Sequence, residues 1–121
     1  MVEREIAIKV NGNNWKVAVT RDYKLLLDKN GHICKGVTSY KNRTIFIDPR
    51  MPKESFLRVL RHELGHTYLY ETQININDNF TEEDVCEFIA IYGDKIVSKA
   101  KSIYKKYISG VVFDNEGTKN L

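Results

Sequence analysis

Residues 53–71 read KESFLRVLRHELGHTYLYE, and two patterns are superimposed on them. Phe56, Leu57, Leu60, Leu64 and Tyr68 recur at three- and four-residue steps, which on a helix gather into one apolar stripe. The stretch therefore predicts an amphipathic helix with one face in a core. His62 and His66, four residues apart, project from one side of that helix about one turn apart, so both rings can turn a nitrogen towards one ion. Glu63 lies about 100° round from His62, near such an ion but off the line of the two rings. A carboxylate there can hold and deprotonate a water, and zinc would make that easier by lowering the pKa of the water towards about 7.

Upstream of this helix, Pro52 suits a helix start, where its missing N–H costs nothing. The alternating Thr44-Ile45-Phe46-Ile47-Asp48 predicts a buried strand, ended by Pro49. With residues 33–40 and the turn Lys41-Asn42-Arg43 it forms a hairpin. Residues 5–10 and 15–19 form an earlier hairpin around Asn11-Gly12-Asn13-Asn14, and residues 23–29 suit one or two helical turns.

Downstream, Asn75, Asn77, Asp78 and Asn79 mark a polar loop. Thr81 and Asp84 then have the spacing of an N-cap and its acidic partner. Val85, Ile89, Tyr92, Ile96, Ala100, Ile103 and Tyr107 predict one long helix running through Gly93. Val111-Val112-Phe113 after Gly110 suits a docking segment, and residues 115–121 a loose tail. The expected architecture is a single α+β domain over residues 1–121. A small antiparallel or mixed sheet packs on two long helices, with the metal held between those helices.

A catalytic zinc site needs a third protein ligand and an open position. His32, Glu71 and Glu83 are the candidates. Glu71 lies about 140° round the helix from His66 and should point away. Glu83 is preferred because Glu83, Cys86, Glu87 and Ala90 share a narrow face at the start of the second helix. Glu87 would then hold the far nitrogen of a ligating histidine, although the two carboxylates could exchange roles. Gly65, costly inside a helix, suggests a close approach near the metal. Tyr40, Tyr68, Tyr70 and His32 could each donate to an oxyanion. If residues 44–48 lie at a sheet edge, their backbone could align an extended peptide.

His62-Glu63-Leu64-Gly65-His66, followed by Glu83-Asp84-Val85-Cys86-Glu87-Phe88-Ile89-Ala90, resembles the gluzincin arrangement, in which a Glu on the next helix completes the site. More narrowly it resembles the ImmA/IrrE family of small zinc metallopeptidases, over roughly residues 36–90. Glu87 stands where that family often has Asn, and Ile89 where it often has Phe. The resemblance implies a zincin-like fold and cleavage of a regulatory protein, such as the repressor of a mobile element. A metzincin site would need a further histidine, and Thr67-Tyr68-Leu69-Tyr70-Glu71 supplies none.

Composition narrows the alternatives. The chain of 121 residues is 42% hydrophobic and 29% charged, which suits one globular domain rather than a disordered segment. No secretory h-region or membrane-length apolar run is present, and Cys34 and Cys86 form no C-x-x-C pair, so a cytoplasmic address is expected. A net charge of +3 is mild. It weakens a nucleic-acid-binding reading based on Lys99, Lys101, Lys105 and Lys106, for which a solvated helix face is the simpler explanation. The other competing reading is an interaction protein that holds a metal without turnover.

Overall fold

The computed structural model describes residues 1–73 and 80–114. The polar loop around Asn75 to Asn79 and the tail from residue 115 lie outside the described residues. The first hairpin pairs β1 (Val2–Val10) with β2 (Asn13–Thr20) in antiparallel register, Val10 facing Asn13. Its turn is tighter than the four residues expected from sequence. Asn11 (φ 50°) and Gly12 (φ 86°) both take positive φ, which the right-handed twist of a two-residue hairpin requires, so Asn13 and Asn14 already belong to β2.

Residues Tyr23–Leu25 make a single 3-10 turn, capped by the Asp22 carboxylate on the Lys24 N–H. The next loop is closed by a Leu27–Ile33 bridge. Within it, Asp28 accepts the backbone N–H groups of Asn30 and His32. The chain then forms the second hairpin, β3 (Gly36–Ser39) antiparallel to β4 (Thr44–Ile47).

β2 and β4 pair in parallel, giving one mixed four-stranded sheet of order β1-β2-β4-β3. β4 is thus interior, with Ile45 and Ile47 fully buried, and β3 is the strand of this hairpin that lies at a sheet edge. The sequence pattern cannot distinguish these two strands, because strand order depends on long-range pairing.

Helix α1 (Lys53–Thr72) begins directly after Pro52 and buries Phe56, Leu57, Leu60, Leu64 and Tyr68, as its stripe predicts. Each such side chain contributes about 1.5–3 kcal/mol when fully withdrawn from water. Helix α2 (Glu82–Asp114) opens on a reciprocal capping box, with the Asp84 N–H donating to Thr81 Oγ1 and the Thr81 N–H donating to Asp84 Oδ2. It runs on through Gly110 to Asp114, so residues 111–113 extend the helix rather than forming a separate segment.

The two helices are antiparallel. Phe56, near the start of α1, packs against Tyr104 and Tyr107, whereas Tyr68, near its end, packs against Tyr92. The stripe of α2 is buried at Ile96, Ala100 and Ile103, but Val85 and Ile89 remain 41% and 61% exposed, so its first turns do not sink into the core as expected. No helix among the described residues is long and apolar enough to cross a membrane.

Candidate metal centre

The i, i+4 spacing on α1 sets the His62 and His66 rings side by side, with centroids 5.0 Å apart and planes at 76°. One ligand atom from each of His62, Glu63 and His66 lies within 4.8 Å of the others. Among the described residues this is the one such group of His, Cys, Asp and Glu side chains. His62 is exposed and His66 half-buried, so both rings reach solvent, whereas Glu63 is buried at 7% exposure.

Glu63 is buried because β3 lies against α1. Gly36 makes that approach possible: a Cβ there would stand 2.7 Å from Val59 Cγ1 and 3.0 Å from Glu63 Cγ. Two residues along β3, the Thr38 hydroxyl donates to Glu63 Oε1 at 2.7 Å, fixing the carboxylate beside the two rings. Neither Gly36 nor Thr38 carries a local signal in the sequence, since both roles arise from the docking of β3 on α1. Gly65, where the sequence suggests a close approach, has no atom within 4 Å of an added Cβ, so nothing approaches closely there.

A cavity of about 830 Å³ opens in front of the group. Its walls are β3, the loop carrying Asp28 and Cys34, and the His62–His66 face of α1. Tyr40 also lines it. Burial raises the Tyr40 phenol above its ordinary pKa, and the nearby Glu63 carboxylate adds to this, so the phenol keeps its proton as a potential donor. Its ring stacks on Tyr70 with centroids 4.8 Å apart. Of the other candidate donors, Tyr68 is buried against Tyr92, and the His32 side chain is 78% exposed beside Asp28.

The third-ligand candidates are not drawn together. Glu71 is engaged elsewhere, accepting from Trp15 Nε1, Asn13 Nδ2 and Arg43 Nε, and so ties the end of α1 to both hairpins. Burial acts to raise its carboxyl, but the Arg43 and Trp15 hydrogen bonds outweigh that and hold it below its ordinary value. Glu83 and Glu87 are exposed on the first turns of α2 and fall outside the His62–Glu63–His66 group.

The antiparallel packing gives the physical reason. Tyr92 packs beside Tyr68, so at 1.5 Å per residue the backbone of Glu87 and Glu83 is about 7.5 and 13.5 Å further along α2, in the direction away from His66. Among the described residues, none from α2 lines the cavity. The group thus faces the space between α1 and β3 rather than the seam between the two helices. Comparison with family models, curated proteins and solved structures finds no match for this chain.

Proposed function

We propose that this chain is a zinc-dependent metallopeptidase of zincin-like fold, hydrolysing peptide bonds of a protein substrate in the cytoplasm. The observation that carries the reading is the convergence of His62, Glu63 and His66 on one cavity wall, directly beside an edge strand. The two solvent-accessible imidazoles are donors of a type zinc prefers, and the buried Glu63 carboxylate stands beside them. Bound there, zinc would supply a Lewis acid for the scissile carbonyl and promote loss of a proton from water.

The chain's own residues then have separate parts. His62 and His66 hold the metal. Glu63, oriented by Thr38, takes a proton from the attacking water and can return it to the leaving amine. Tyr40 is the phenol best placed to donate a hydrogen bond to a developing oxyanion. Among the described residues β3 pairs only with β4, so its outer backbone edge can align an extended peptide along the cavity.

Glu83, with Glu87 as its alternative, is the proposed third protein ligand. Either would complete the set only with the first turns of α2 seated nearer His66 than they are in this structure. The ImmA/IrrE resemblance narrows the substrate to a regulatory protein, such as the repressor of a mobile element.

The test is cleavage of a peptide library, read by mass spectrometry, with zinc-loaded protein and its Glu63→Gln variant. The variant should keep zinc and lose at least about a hundredfold in rate. Equal turnover by the two proteins would remove the hydrolase mechanism. No turnover by either would favour the reading as a metal-holding interaction protein.

A further inference from the structure

A second cavity, of about 620 Å³, lies at the opposite edge of the sheet, between β1 and α2. It shares no lining residue with the cavity in front of His62, Glu63 and His66. Its polar lining is strongly one-sided. Lys9 comes from β1, and Lys95, Lys99 and Lys106 come from α2, with Ser98 and Ser102 between them. Positions 95, 99, 102 and 106 follow i, i+4, i+7 and i+11, which places them on one helical face. No carboxylate lines the cavity, and none of the four lysines forms an ion pair among the described residues.

Four lysines thus border one concavity that has no carboxylate in its walls, an arrangement whose positive potential favours an anion. Lys99 is the half-buried one of the four, and burial first, then the charge of Lys106, push its ammonium below its ordinary pKa. Lys101 and Lys105, close to Lys99 and Lys106 in the chain, line no part of the cavity, whereas the equally exposed Lys9, Lys95 and Lys106 do. A face built to track nucleic acid would spread its charge along the surface to meet successive phosphates. Here the lysines border a single hollow of the size that takes small ligands.

We infer that the cavity between β1 and α2 is a binding site for a small anion carrying several phosphate groups, held by Lys9, Lys95, Lys99 and Lys106. The hydroxyls of Ser98 and Ser102 supply further donors. The site is independent of the metal centre and does not depend on the peptidase reading.

The test is isothermal titration of the full chain with inorganic tripolyphosphate. The wild type should bind one equivalent, and Lys99→Ala and Lys106→Ala should each weaken binding about tenfold, the loss of a charge-assisted contact. Lys9→Gln, on the other wall, should do the same without altering α2. Lys105→Ala, with the same charge change on the same helix, should stay within about twofold. Because tripolyphosphate can also chelate zinc, the titration is repeated with His62→Ala, which should bind equally well. Absence of saturable binding, equal losses at Lys99 and Lys105, or loss in His62→Ala would each overturn the proposal. So would tighter binding of duplex DNA that requires Lys101 and Lys105, since that result would make this a nucleic-acid face.

Discussion

Thr38 Oγ1 donates a 2.7 Å hydrogen bond to Glu63 Oε1, linking the edge strand to the carboxylate beside the two histidines. A general base works only if its lone pair is aimed, and this hydroxyl provides the aim from a different element. Thr38→Val should leave zinc affinity unchanged and lower kcat about tenfold, the value of one lost hydrogen bond. Thr38→Ser should restore most of the rate. Steady-state kinetics beside metal titration separates this from general damage, because a merely structural role would not be rescued by serine while zinc affinity stayed constant.

Gly36 and Gly65 should respond in opposite directions to the same methyl group. At Gly36 the new Cβ would press on Val59 and Glu63, so Gly36→Ala should push β3 off α1 and cost about 1–3 kcal/mol, with loss of activity. At Gly65 an added Cβ meets nothing within 4 Å, and alanine is the better helix former, so Gly65→Ala should add about 1 kcal/mol. Urea denaturation of both variants gives the two signs directly.

The contrast also marks how much was legible in the sequence. Periodicity located α1 and its buried stripe, and the capping pair Thr81–Asp84 located the start of α2, because these signals are local. The spacing of His62-Glu63-Leu64-Gly65-His66 likewise brings the two histidines and Glu63 together, since the pitch of the helix largely sets their distances. Everything that depends on how elements meet was not legible. Thr38 and Gly36 acquire their roles from the docking of β3 on α1. Strand order makes β3 the edge and β4 the interior strand. Glu83 and Glu87 fall outside the His62–Glu63–His66 group, and their place relative to it depends on how α2 docks on α1.

Glu71 should govern acid stability. Its side chain is 5% exposed and pairs with Arg43 at 2.7 Å, and its carboxyl is held below the ordinary value of 4.5. A carboxyl whose pKa is depressed on folding contributes fully above its unfolded value, and the contribution is lost as pH falls through the lower folded value. Glu71→Gln should therefore destabilise the protein by about 2 kcal/mol at neutral pH. The gap between variant and wild type should close as the pH drops below 4.5. Thermal unfolding followed across that range measures both effects.

Metal analysis of the protein after zinc loading and gel filtration tests the central claim most directly, with His62→Ala and His66→Ala treated in parallel. One equivalent of zinc in the wild type and little in either variant is the expected result. Less than stoichiometric zinc in the wild type, or zinc retained after loss of either histidine, would contradict the metal centre itself.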